Sequence, residues 1–174
     1  MARIVYETLP VPAVLEHTIE VPAGVVTFGV EYRHLDESTI LAHFGPNAEA
    51  KFNGGIRPAG MAAVVEEDGL ALHVFDTATG EERLRFDCFD DAPHFHLLDP
   101  GPPRNVVVEH DPADGRLLDQ AQDWLRRDLA GLLREAGAGH LCASIDPEVV
   151  GAAVGVVAQV AAYVLAAGRP VRVR

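Results

Sequence analysis

The strongest constraint on this chain lies between residues 61 and 109. There, five strand-length runs alternate with turn-forming clusters roughly every ten residues. The runs are Ala62–Glu66, Leu70–Asp76, Arg83–Cys88, His94–Leu98 and Asn105–Glu109. The breaks are Glu67-Asp68-Gly69, Ala78-Thr79-Gly80, Asp90-Asp91-Ala92-Pro93 and Asp99-Pro100-Gly101-Pro102-Pro103. Gly, Pro and Asp reverse the chain at low cost, and strands joined by such short turns run antiparallel. The stretch therefore predicts a meander.

The flanks complete one fold. Pro10, Pro12 and Pro22 punctuate residues 1–23, which read as an N-terminal arm with an edge strand at Val14–Glu20. Val25–Tyr32 is rich in β-branched and aromatic residues and reads as a strand. The run Asp36-Glu37-Ser38-Thr39 reads as the cap of a short helix ending near His43, and residues 44–60, with Gly54-Gly55 and Pro58, read as a long loop. Leu117, Leu118, Ala121, Leu125, Leu129 and Leu132 recur at helical spacing, and Gly137 ends that helix. Asp146 and Pro147 open a second helix that Gly168 closes. With 174 residues the chain fills one domain. The prediction is an α+β domain over residues 24–174: an antiparallel meander sheet of five to seven strands, then two C-terminal helices packed on one face.

The first hairpin of the meander fixes which side chains share a face. A three-residue loop at Ala78-Thr79-Gly80 pairs Thr77 with Glu81, Val74 with Leu84 and Leu72 with Phe86. Leu70, Leu72, Val74, Leu84, Phe86 and Cys88 then form an apolar face. A slip of one residue would scramble it. The opposite face sets His73 across from Arg85 and Ala71 across from Asp87. If the next strand pairs with Arg83–Cys88, His94 and His96 join them. Two imidazoles with a carboxylate form a divalent-metal constellation, and His beside a carboxylate is equally an acid–base pair. His73, Asp87, His94 and His96 are thus candidate metal ligands. Asp87, His94 and His96 are candidate catalytic groups, with Arg85 holding an anionic group. His110 and Asp111 could complete the set. The same residues also suit plain salt bridges on a sheet surface.

The last helix is unusually apolar. Gln159 is the only clearly polar side chain between Val149 and Ala167. The stretch is long enough to span a bilayer. Its Ala, Val and Gly composition, the central Gln and the Asp146-Pro147 cap instead favour a core or interface helix. Gly151, Gly155, Ala158 and Ala162 form a small-residue stripe, the expected contact surface of a homodimer.

Charge and motifs narrow the functions further. The net charge of −12 repels phosphate backbones, so no nucleic-acid partner is expected. Cys88 and Cys142 cannot build a disulfide framework, and the first residues hold no apolar signal segment, so a cytoplasmic location is expected. No dinucleotide, P-loop, zinc-protease or nucleophile-elbow motif occurs. Cys88 falls on the core face, where a nucleophile has no use.

The segment Leu84-Arg85-Phe86-Asp87-Cys88-Phe89-Asp90-Asp91-Ala92-Pro93-His94-Phe95-His96 resembles the signature of an actinobacterial protein family without assigned activity, whose members read L-R-F-D-x-F-D-D-x-P-H-Y-H-Y. The resemblance extends upstream to His73-Val74 and Gly80-Glu81, and downstream to Leu125–Gly137 and Asp146-Pro147. Phe95 and Leu97 stand where that family often has Tyr. A shorter similarity links Arg85, Asp87, Pro93 and His94 to toxin-like proteins of toxin–antitoxin modules that carry R-Y-D-N-A-P-H-H. His94-x-His96 is also similar to cupins, but Asp99 stands closer than their Glu and their second His motif is missing.

Three functions follow as expectations. The first is a small enzyme or metal-binding protein with a divalent-metal site at the His/Asp group. The second is a non-catalytic homodimeric binding or assembly module that uses the last helix. The third is a toxin-like nuclease. No small-molecule ligand is identified by the sequence.

Overall fold

The computed structural model describes residues 2–45 and 66–173. The expected loop beyond Gly45 and most of the Ala62–Glu66 run lie outside the described residues. The strands are β1 (Arg3–Tyr6), β2 (Thr18–Ala23), β3 (Val26–Asp36), β4 (Glu66–Asp76), β5 (Glu82–Phe89), β6 (His94–Asp99) and β7 (Arg104–Glu109). They form one antiparallel sheet in the order β1-β7-β6-β5-β4-β3-β2. The expected meander with C-terminal helices is what the chain adopts. The N-terminal arm supplies both edge strands. β1 pairs with β7 and β2 with β3, and β2 begins at Thr18, after a single 3₁₀ turn at Leu15–His17.

Among the described residues, three α-helices follow the sequence signals. α1 (Glu37–Phe44) starts where Asp36 Oδ1 accepts from the Thr39 backbone N–H at 2.7 Å. α2 (Leu117–Glu135) buries Leu118, Ala121, Leu125, Leu129 and Leu133. α3 (Pro147–Ala167) is capped by Asp146, whose carboxylate accepts from Glu148 and Val149 N–H, and it ends at Gly168 with φ +58°. Left-handed backbone at a helix end favours glycine.

Alternation along the strands separates two layers. Phe28, Leu72, Val74, Leu84, Phe86, Phe95 and Val108 face α2 and α3 and make the apolar core. Each such side chain contributes about 2 kcal/mol on leaving water. The opposite face carries Glu31, Arg33, His73, Arg85, Asp87, His96 and Asn105, all buried. That face is thus no solvated surface. The segment before β2 lies against it: the Val11 carbonyl accepts from Arg33 and Arg85, and Glu31 accepts from the Val14 N–H.

One local departure matters for the site. Val74 pairs with Leu84 and Leu72 with Phe86, as the apolar match predicts. At Phe75 the register shifts through a β-bulge, so Phe75 pairs with Glu82, and Asp76 rather than Thr77 bonds to Glu81. The expected Thr77–Glu81 pair is corrected by one residue, because a bulge inserts an extra residue on one strand.

Candidate metal centre

The registers stack the polar face into two cross-strand rows. One row runs Gly29, His73, Arg85, His96, Val107, and the next runs Glu31, Ala71, Asp87, His94, Glu109. Arg85 therefore stands between His73 and His96. It divides the layer into two clusters.

The first cluster is a closed ion network. The bulge turns Glu82 onto this face, where it accepts from Arg85 Nε at 2.8 Å and Nη2 at 2.5 Å. His73 Nδ1 lies 2.6 Å from Glu82 Oε1, and His73 Nε2 lies 3.2 Å from Glu31 Oε2. Arg33 pairs with Glu31 at 3.3 Å. Burial pushes the Glu82 carboxyl up, but the Arg85 and His73 charges outweigh it and hold it far below the usual carboxylate range. Burial works against a charged His73, yet Glu82 and Glu31 raise its pKa above the ordinary value. Both nitrogens of His73 face carboxylates, and His73 lies outside the group that Asp87, His94 and His96 form. Arg85 is only 1% exposed and also donates to the Val11 carbonyl at 2.8 Å. The anion it was expected to hold is Glu82 of its own chain.

The second cluster is Asp87, His94 and His96, one ligand atom of each lying within 4.8 Å of the others. Asp87 Oδ2 is 3.0 Å from His96 Nε2 and 3.5 Å from His94 Nε2. The far nitrogens are both occupied. His94 Nδ1–H donates to the Ala92 carbonyl at 2.9 Å, and His96 Nδ1–H donates to Asn105 Oδ1 at 2.8 Å. Both Nε2 atoms therefore point at Asp87. Ala92 holds φ +50°, a left-handed conformation unusual for Ala, and its carbonyl meets His94. Asp87 Oδ1 is buried without a hydrogen-bond partner. Burial pushes the Asp87 carboxyl up, but its contact with His96 Nε2 and the charge of Arg85 outweigh it and hold it far below the usual carboxylate range. For His96 burial outweighs the contact with Asp87, and its pKa falls below the ordinary value.

Other candidates fall elsewhere. His110 Nε2 donates to the Gly115 carbonyl at 2.7 Å, and Asp111 caps the Ala113 N–H, so neither completes the set. The Cys88 thiol is pushed up by burial and by Asp87, which makes it a poor nucleophile. On α3, Val150, Ala153, Val154, Val157 and Ala161 pack inward. Gly151 and Gly155 are half-buried with open space where a Cβ would stand, Ala158 is half-buried and Ala162 is exposed. By length and composition α3 is apolar enough to cross a membrane, yet its inward face is part of the core.

Glu82, Asn105 and the Ala92 carbonyl were not singled out by the sequence. The alternation that turns Val106 and Val108 inward does place Asn105 on the polar face, so that signal was available. The bulge that delivers Glu82 leaves no trace in hydrophobic pattern.

The profile of a domain of unknown function (DUF7700) matches residues 20–161, a span covering both clusters. No curated protein and no solved structure matches the chain.

Proposed function

The chain belongs to the DUF7700 family, whose description assigns no activity, and from the site itself we propose that it binds a divalent transition-metal ion through Asp87, His94 and His96. The observation that carries this reading is the convergence of two imidazole Nε2 atoms on one carboxylate oxygen, each ring oriented through its Nδ1. Such outer hydrogen bonds fix the tautomer that leaves Nε2 free for a metal. Two ligand atoms about 2.1 Å from one ion stand about 3.0 Å apart at a right angle and about 3.4 Å apart at the tetrahedral angle. The separation of 3.0 Å matches the right-angle value, and that of 3.5 Å stands about 0.1 Å above the tetrahedral one. The mixed N/O donor set suits Zn, Fe, Mn or Ni. Three protein ligands would leave an open position, where an ion polarises a bound water or carbonyl. The nuclease reading loses the arginine it assigned, because Arg85 is taken by Glu82 and Val11.

The test is cobalt(II) added to chelator-treated protein. Visible absorption bands that zinc abolishes are expected. Their absence, or their persistence in a His94→Ala/His96→Ala variant, sinks the reading.

A second reading, a homodimer, is supported by the outward face of α3, where Val156 is 46% and Tyr163 is 59% exposed beside Gly151 and Gly155. Sedimentation of the chain against a Gly155→Leu variant tests it. A dimer in the parent and a folded monomer in the variant are expected, and a monomeric parent contradicts it.

A further inference from the structure

The polar layer balances its own charges before any ion enters it. Arg33, His73 and Arg85 are buried cations, and Glu31, Glu82 and Asp87 are the carboxylates that face them. The geometry makes His73 a cation, since its two nitrogens face carboxylates at 2.6 Å and 3.2 Å. Arg83, at the rim of the layer, is answered by Glu81. Among these residues the positive and negative charges are equal in number.

A divalent ion at Asp87, His94 and His96 upsets that balance. Both imidazoles bind an ion in their neutral form, so neither offsets its charge. Uncompensated charge in a buried layer is costly. Glu109 is the cross-strand neighbour of His94, but it is exposed and stands outside the ligand group. The remaining source of negative charge is the ligand that fills the open position on the ion.

Asp87 sets a second demand. Its Oδ2 meets both imidazoles, whereas its Oδ1 is buried and has no hydrogen-bond partner. An ionised carboxylate oxygen only accepts, and leaving it unanswered in the interior is unfavourable. Oδ1 sits on the same carboxyl group as Oδ2, so a donor carried by another ligand of the same ion comes within its reach. Access sets a third demand. The His94 side chain is 18% exposed, while Asp87 and His96 are buried, so a ligand enters along the His94 edge and has to be small.

We infer that the open position takes a small planar oxyanion that carries its own O–H, of which hydrogen carbonate is the simplest. One oxygen coordinates the ion, the negative charge offsets part of the ion's charge, and the O–H donates to Asp87 Oδ1. The inference rests on the metal reading above. Water lacks the charge, acetate lacks the donor, and acetamide has the donor without the charge.

Hydrogen carbonate, acetate and acetamide share one planar shape and nearly one size, so they separate the two demands. Each is titrated into the cobalt(II)-loaded full chain at fixed pH and ionic strength, with the visible absorption bands as the readout. Hydroxide competes equally with all three under these conditions. A saturable shift of the bands by hydrogen carbonate is expected. Acetate, without the hydrogen bond to a buried charge, is expected to bind about tenfold more weakly. Acetamide, without the charge, is expected to bind more weakly than hydrogen carbonate by at least about the same factor. No response to hydrogen carbonate, or equal binding of either comparison compound, overturns the inference. The two readings fail differently: absent cobalt bands sink the metal site, whereas bands that ignore hydrogen carbonate sink the oxyanion alone.

Discussion

Glu82 and Arg85 lie three residues apart on one strand, yet they face the same side of the sheet and join through two parallel hydrogen bonds. Regular alternation would set them on opposite faces. The bulge at Phe75 removes that conflict. The pair thus couples a backbone irregularity to the charge balance of a buried layer, and it holds the cation that separates the ion network from the Asp87, His94 and His96 group.

Glu82→Gln should be strongly destabilising. It leaves Arg85 and His73 facing a neutral amide in a buried layer. Breaking a buried pair from one side costs about 3 kcal/mol or more. Chemical denaturation of parent and variant checks this, and a difference under about 1 kcal/mol would show that the pair contributes little.

Stability should fall toward both ends of the pH scale, for different residues. His73 has a raised pKa in the fold, so its contribution is complete below the unfolded value of about 6.5 and is lost as pH rises through the folded value. Glu82 has a depressed pKa, so its contribution is present above about 4.3 and is lost as pH falls toward the folded value. In chelator-treated protein, His73→Gln should flatten the decline above about pH 6.5 and leave the acid limb in place. An unchanged alkaline limb would remove His73 from this role.

Gly29→Ala should destabilise the polar layer. A Cβ at Gly29 would stand 2.7 Å from Thr18 Cγ2 and 2.8 Å from Phe75 Cε2. Gly29 is also the cross-strand neighbour of His73. Overpacking of this kind costs about 1–3 kcal/mol. Thermal melting of the variant reads it directly, and an unchanged midpoint would mean the neighbours yield freely.

How much of this was legible in the sequence depends on which force set each feature. Burial wrote the register clearly: only one pairing puts Leu70, Leu72, Val74, Leu84 and Phe86 on a common face, and it carries His73, Arg85 and Asp87 to the other. The His94-x-His96 spacing then brought both imidazoles beside Asp87. His73 shares the face and even the row of His96 without joining the Asp87, His94 and His96 group. Arg85 intervenes, and Glu82 reaches His73 through a bulge that hydrophobic pattern does not record. β1 escaped notice because its four residues pair only with a distant strand. The burial of the polar face was equally invisible, since it depends on where the segment around Val11 crosses the sheet.

Asn105→Ala should weaken metal binding without touching a ligand. It removes the acceptor that holds His96 Nδ1–H at 2.8 Å. Loss of such an outer hydrogen bond costs about 10- to 100-fold in metal affinity. Competition with a chromophoric chelator measures it, and an affinity equal to the parent's would mean that His96 needs no such support.

The most direct test is the metal content of the purified chain, measured by elemental analysis beside a His94→Ala/His96→Ala variant shown to be folded by circular dichroism. The account predicts about one divalent transition-metal ion per parent chain and none in the variant. No metal in the parent, or equal metal in both, would contradict it and return Asp87, His94 and His96 to the buried ion network of the sheet.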